Sequence, residues 1–169
     1  RVTKALHRTS PGEIIGLRGP LGNAWPLDKM RGKNIIIIGG GFAFTTQRSL
    51  VQYILKNRAD YGDLTVIYGA RSPGALLYKQ ELNQWKQNDS MTLHLTVDKG
   101  DDTWTGREGF VPTVVREEKP SPQNAVALIC GPPVMIRFTL PVLGELGFKD
   151  DQIYTSLEMR MKCGVGMCG

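Results

Sequence analysis

The 169-residue chain is 41% hydrophobic and 22% charged, the balance of a soluble globular protein long enough for one α/β core and a little over. Its net charge of +5 comes from scattered Lys and Arg with no run of five, which sets a nucleic-acid partner aside, and no apolar run approaches the roughly 20 residues of a membrane span. Three cysteines argue against a disulfide scaffold and point to a reducing cytoplasm; Arg1-Val2-Thr3-Lys4 opens with neither Met nor a signal-peptide pattern, so the chain reads as a fragment or a processed form.

Residues 1–32 read as the last piece of one domain plus a linker. Val2-Thr3-Lys4-Ala5-Leu6 predicts a helix start with Thr3 as its N-cap. Pro11-Gly12 is a turn, Glu13-Ile14-Ile15-Gly16-Leu17 a short strand, and Gly19-Pro20-Leu21-Gly22-Asn23 a tight loop. Trp25-Pro26-Leu27 then leads through Gly32 into the central strand.

That strand, 34–38, carries Ile35-Ile36-Ile37-Ile38, four β-branched apolar residues suited to a strand covered on both faces. Gly39-Gly40-Gly41 follows, and Thr45-Thr46 opens a helix over about 45–58 with Leu50, Val51, Ile54 and Leu55 on one face. Strand, glycine turn and helix is the arrangement that lets backbone N–H groups and a helix N-terminus meet a diphosphate. Read as G-x-G-x-x-G, the third glycine is replaced by Phe44. The acidic residue that would hold the ribose after the second strand, Leu64–Tyr68, is absent too; Gly69-Ala70-Arg71 stands there. The stretch therefore reads either as a nucleotide site outside the Rossmann dehydrogenases or as a tight α/β turn whose glycines only allow packing.

Ser72-Pro73 predicts another helix start, with Ala75, Tyr78, Leu82 and Trp85 on its apolar face. Strand three alternates Met91, Leu93, Leu95 and Val97 with Thr92, His94 and Thr96, which makes His94 an ordinary strand residue, while His7 is a surface one. A polar loop runs from Asp98 to Gly109 and a short helix from Pro112 to Glu118, broken by Pro120-Ser121-Pro122. Strand four, Ala125–Ile129, ends at Cys130. Gly131-Pro132-Pro133 turns into a helix kinked by Pro141 and capped by Gly147, and strand five is Ile153–Leu157. The alternation predicts a five-stranded, doubly wound parallel sheet with right-handed crossovers. Ligands of such sheets sit beyond the C-terminal strand ends, where both Gly39-Gly40-Gly41 and Cys130-Gly131-Pro132 fall.

Two features could carry chemistry. Cys130 stands where a strand gives way to a helix N-terminus, which lowers a thiol's pKa, or it is a small buried apolar residue. Cys163-Gly164-Val165-Gly166-Met167-Cys168 is C-x4-C, the first part of the C-x4-C-x2-C spacing that ligates a 2Fe-2S cluster; the third cysteine would fall at position 171. The alternative is two unpaired thiols in a terminal segment.

Taken together, these motifs resemble the nicotinamide-nucleotide half of ferredoxin–NADP reductase-like flavoproteins, in the branch of electron-transfer subunits that end in a 2Fe-2S cluster. That branch includes the electron-transfer subunits of dihydroorotate dehydrogenase and of anaerobic sulfite reductase, the gamma subunits of hydrogenase/sulfur reductase, and heterodisulfide reductase-linked flavin adaptors. The resemblance implies that 1–32 is the remnant of an FAD-binding barrel, 33–158 the NAD(P)-binding domain, and 159–169 the start of the cluster segment. It implies that Thr3 contacts the FAD diphosphate and that Gly39, Gly40 and Gly41 form the nucleotide-diphosphate loop. Phe42-Ala43-Phe44 departs there from the family's usual Ile-Gly and Pro. Gly69, Arg71 and Ser72 form the ribose side. Cys130, Gly131 and Pro132 match the Cys-Gly-Pro motif near nicotinamide and flavin, and Cys163 and Cys168 are the first cluster ligands. The implied function is a relay from NAD(P)H through FAD and the cluster to a partner redox subunit. A non-catalytic nucleotide-binding module and a flavin reductase without a cluster are the alternatives.

Overall fold

The computed structural model describes residues 2–17, 19 and 23–156. The chain divides into two units, one containing Arg1–Ala24 and the other being Trp25–Glu158. In the first, helix α1 spans Val2–Leu6 with every residue exposed. Thr3 lies inside this helix rather than capping it, its carbonyl accepting the His7 N–H at 3.0 Å. Glu13–Leu17, expected as a strand, pairs with no strand among the described residues, and Ile14 and Leu17 are 98% and 94% exposed. A strand gains its hydrogen bonds only from a neighbour, and none of the described residues supplies one. Most of the Gly19–Asn23 loop lies outside the described residues, as do Cys163 and Cys168.

The second unit is a parallel sheet of six strands: β1 Asn34–Gly40, β2 Leu64–Ala70, β3 Thr92–Val97, β4 Arg107–Glu108, β5 Ala125–Cys130 and β6 Ile153–Ser156. Their order is β4-β3-β2-β1-β5-β6. The chain walks outward from β1 through β2 and β3 to β4, then returns to lay β5 on the other side of β1. The switch point lies between β1 and β5, and that is where open α/β sheets bind ligands.

Five strands were expected, and β4 is the sixth. Two residues are too few to show a period. What fixes them is side-chain chemistry in the polar loop: the Thr96 hydroxyl donates to the Gly109 carbonyl at 2.7 Å, and the Trp104 indole N–H donates to the Arg107 carbonyl at 3.0 Å.

The β1 isoleucines divide the core. Ile35 and Ile37 face helix α3 (Phe44–Lys56) and helix α4 (Lys79–Lys86), packing with Leu50, Val51, Ile54, Leu82 and Trp85. Met30 of the short helix α2 (Leu27–Met30) joins them. Ile36 and Ile38 face helix α5 (Val111–Glu118) and helix α6 (Pro133–Glu145), packing with Val114, Val115, Ile136, Val142 and Leu143. All four isoleucines are buried, as a strand covered on both faces requires.

Helix α6 continues through Pro141 and ends in a six-to-one, five-to-two hydrogen-bond pair, Phe148 N–H to Leu143 O and Gly147 N–H to Gly144 O, with Gly147 at φ +92°. The helix expected from Ser72 is different. Pro73–Ala75 makes one 3-10 turn, Leu76 is extended, and Tyr78 takes a left-handed φ of +54° before α4 begins at Lys79. Gly74 in the first turn weakens helix propagation. The Arg48 guanidinium lies 4.7 Å from the centre of the Tyr78 ring and pairs with Glu81 at 2.7 Å, so the turn is fastened to α3.

Candidate nucleotide site at the switch point

The C-terminal ends of β1, β2 and β5 meet in register: Gly39 lies opposite both Tyr68 and Cys130, and Gly40 opposite Gly69. The glycines there do different work. A Cβ on Gly39 would stand 2.5 Å from Phe44 Cδ2 and 2.5 Å from Gln47 Oε1. One on Gly40 would strike Met135 Sδ, one on Gly131 Met135 Cε, and one on Gly69 Val111 Cγ2. These four let helices close on the sheet. Gly40 is therefore a packing glycine, and its missing side chain does not open room for a ligand. Gly41 is the other kind: its φ is +56° and nothing lies within 4 Å of its Cβ direction. It is the residue of the triplet that offers bare backbone to the outside.

Helix α3 starts just beyond it, with Ala43 at the N-cap and no side-chain cap on its first N–H groups. The Phe44 N–H closes the 3-10 turn onto the Gly41 carbonyl, and the remaining first-turn donors with the helix dipole lie at the same edge as Gly41, an arrangement suited to an anion. Phe42, between them, is 73% exposed.

Beneath the loop is a buried support. The Phe44 ring stacks on Tyr68 at 4.0 Å and 13° and meets Trp85 edge-on at 6.2 Å. Only a glycine at 39 leaves space for that ring. Gln47, fully buried, donates its Nε2 to Ile38 O at 2.9 Å and Leu128 O at 3.0 Å, tying β1 to β5 at the switch point; its Oε1 has no partner. The Tyr68 hydroxyl donates to Gly41 O at 3.3 Å and accepts the Leu77 N–H at 3.2 Å. None of this support is visible in the sequence patterns. Its one signal is Phe44 standing where a third glycine was expected, since an aromatic there has to be stacked on something.

On the ribose side, β2 ends in Gly69-Ala70 and continues to Arg71, exposed, and Ser72, half-buried. The exit of β3 runs beside it: Asp98 N–H donates to Ala70 O at 2.9 Å and Lys99 N–H to Arg71 O at 3.2 Å. Lys99 is thus a second cation near Arg71, brought there by parallel pairing that spacing in the sequence does not show.

On the third side, Cys130 ends β5, paired with Gly39 and Ser156. Its thiol is free, and the residue is only 1% exposed. By alternation it faces α3 with Val126 and Leu128, so it is packed into the sheet edge rather than displayed on it. Gly131 and Pro132 carry the chain into α6, Pro132 being its N-cap. The site residues expected at 39–41, 69–72 and 130–132 therefore converge on one edge. Thr3 belongs to the other unit.

His94 lies away from this edge. Its Nδ1 is 3.2 Å from Glu118 Oε1, and Glu118 also pairs with Arg107 at 2.6 Å, so the cluster clamps β4 and α5 to β3. Burial pushes the imidazole below its ordinary value, outweighing the upward pull of Glu118, and Arg107 adds to the depression. Among the described residues no group of three or more His, Cys, Asp or Glu could hold a metal, and no helix is long and apolar enough to cross a membrane.

Comparison with known proteins gives the family. Residues 37–140 match the family model for the oxidoreductase NAD-binding domain. The gamma subunit of sulfhydrogenase 1 from Pyrococcus furiosus is 35% identical over 100% of this chain and 59% of its own. The electron transfer subunit of dihydroorotate dehydrogenase B (NAD(+)) from a Geobacillus species is 32% identical over 98% of this chain and 58% of its own. The chain thus spans about three fifths of the length of these two relatives. Among solved structures, an NADH-dependent reduced ferredoxin-NADP oxidoreductase superposes with a TM-score of 0.69 at 24% identity, over 100% of this chain and 56% of that one. On the sheet order, the glycine edge and the family match, the chain belongs to the oxidoreductase NAD-binding domain family of ferredoxin reductase-like proteins.

Proposed function

We propose that this chain is the NAD(P)H-binding part of an electron-transfer subunit, one that passes electrons between NAD(P)H and a partner redox subunit through FAD and a 2Fe-2S cluster, in the cytoplasm. The observation that carries the reading is Gly41: a left-handed, unobstructed backbone turn at the switch point, followed by the uncapped first turn of α3. A diphosphate fits such a turn because its oxygens need donors at short range and no side chain in the way. The N–H groups at 41 and in the first turn of α3 bind the diphosphate. Arg71 and Ser72, with Lys99 beside them, meet the ribose and any 2′-phosphate. Gly131 and Pro132 bound the nicotinamide end, where Cys130 orients the ring from within the sheet edge and forms no lasting covalent bond. When bound, FAD would supply the acceptor for hydride, and a 2Fe-2S cluster held by Cys163 and Cys168 with further ligands would supply one-electron transfer onward.

The flavin and cluster rest on sequence resemblance. Thr3 is the residue proposed for the FAD diphosphate, and Cys163 and Cys168 are proposed as cluster ligands, with the remaining ligands beyond Gly169. Two relatives named as the gamma subunit of a sulfhydrogenase and the electron transfer subunit of a dihydroorotate dehydrogenase support a place in a larger complex.

The test is nucleotide binding to the complete protein. Gly41→Ala places a methyl group in the open turn and should raise Kd for NADH and NADPH by about tenfold or more, at a cost to folding of about 1–2 kcal/mol from the left-handed backbone. Unchanged affinity for both nucleotides in this variant would remove the diphosphate from Gly41.

A further inference from the structure

We infer that the Tyr68 hydroxyl is a positioning group for the adenosine half of the nucleotide, a role that rests on the reading of this edge as a nucleotide site. Tyr68 ends no loop and touches no open surface; its side chain is fully buried in the α3 face of β2. Yet its hydroxyl reaches the two segments that would enclose an adenosine diphosphate. It donates to the carbonyl of Gly41 at 3.3 Å, and it accepts the N–H of Leu77 at 3.2 Å. Gly41 is the diphosphate turn. Leu77 is the penultimate residue of the irregular stretch Arg71–Tyr78, which holds the ribose-side residues and has little regular structure of its own.

Each segment has local bonds of its own, and the Tyr68 hydroxyl joins one to the other. Gly41 sits at φ +56° with nothing within 4 Å of its Cβ direction, and its carbonyl accepts the Phe44 N–H across the 3-10 turn. The stretch after Ala75 leaves its 3-10 turn at Leu76 and enters α4 through the left-handed Tyr78. A hydroxyl fixed from below ties the two together, because the ring that carries it is clamped by the Phe44 stack at 4.0 Å. The Gly41 carbonyl, which already accepts the Phe44 N–H, is held toward the protein by the Tyr68 hydroxyl as well, and carbonyl and N–H groups around a turn point opposite ways. Holding the carbonyl inward keeps the adjoining N–H groups outward, toward an anion. The departure at Phe44 from the family's usual sequence belongs to the same device: the aromatic ring at 44 holds Tyr68 in place.

The experiment is Tyr68→Phe in the complete protein, with Kd measured for 5′-AMP and for NADH and NADPH, and the unfolding temperature measured on the same samples. The ring and its stack remain, so only the two hydroxyl bonds are lost. Kd for 5′-AMP and for the favoured dinucleotide should each rise about fivefold, the loss expected when one neutral hydrogen bond orders a site. A purely structural hydroxyl would lower the unfolding temperature and leave the Kd of the folded protein unchanged. That result, with wild-type affinity in a folded variant, overturns the inference while the nucleotide site stands. A wild-type protein that binds none of the three ligands overturns both.

Discussion

The difference between Gly39 and Gly131 can be measured as stability. Each would gain a Cβ in contact with a neighbour, but the neighbours are unlike. At Gly39 the new methyl meets Phe44 Cδ2 and Gln47 Oε1, each at 2.5 Å. The Phe44 ring is held between Tyr68 and Trp85, and Gln47 is held by two hydrogen bonds to strand carbonyls, so neither has a free rotamer to take up. An ordinary contact is about 3.5–4.0 Å, so over 1 Å has to be found by moving α3 or bending β1. Overpacking of a fixed core costs about 1–3 kcal/mol, and loss of either Gln47 bond would add about 1 kcal/mol. We expect Gly39→Ala to destabilise by about 2–4 kcal/mol. At Gly131 the close contacts are the terminal methyl and the sulfur of Met135, an unbranched side chain with three rotatable bonds that can swing aside, and the Gly40 Cα stands at an ordinary 3.4 Å. Gly131→Ala should cost about 1 kcal/mol or less. Urea unfolding followed by tryptophan fluorescence, with equal slopes in both variants, gives the two values. Equal midpoints for the two variants, or a Gly39→Ala midpoint at the wild-type value, would refute the assignment of Gly39 to the Phe44–Gln47 support.

Three further outcomes follow from the site and its surroundings. Because burial holds the folded His94 below the ordinary imidazole value of 6.5, its neutral form is the one the fold favours. That contribution is full above about pH 6.5 and is lost as pH falls through the depressed folded value, so His94→Gln should flatten the stability profile below about pH 6.5; identical profiles for variant and wild type would show that His94 contributes nothing there. In the complete protein, Cys130→Ala should slow flavin reduction at saturating NAD(P)H far more than it alters nucleotide Kd, as a group acting on ring orientation would. Equal rates would leave Cys130 a packing residue of β5, consistent with its burial. Cys163→Ser should remove most iron and sulfide from the complete protein purified without oxygen, and retention of both would take Cys163 out of the ligand set.

The sequence was most informative where one residue type decides the local outcome. Four β-branched isoleucines before three glycines can hardly be anything but a doubly covered strand and a turn. Gly147 two residues past Glu145 ends α6 by the hydrogen bonds expected of a left-handed glycine. It was least informative where distant segments fix each other. Arg107–Glu108 become a strand because Thr96 of β3 bonds the loop at Gly109 and Trp104 braces the loop from within at Arg107, and neither bond has a signature in spacing. The start of α4 lies at Lys79 rather than Ser72 because Arg48, far earlier in the chain, stacks under Tyr78 and pairs with Glu81. Within the site, the positions of Gly39, Gly69, Gly131 and Cys130 were legible, but the role of each glycine was not. Whether a glycine faces a helix or faces open space depends on strand parity against a partner element. Only the register of β1 with β2 and β5 separates Gly41 from its two neighbours.

The relay is tested most directly by the visible spectrum of the complete protein, purified without oxygen, before and after stoichiometric addition of NADH or NADPH. The account expects a coloured protein containing iron, sulfide and FAD whose visible absorbance is bleached by at least one of the two nucleotides, with the flavin and cluster bands falling together. A folded protein that binds nucleotide yet carries neither iron nor visible absorbance would contradict it and leave a nucleotide-binding module in its place.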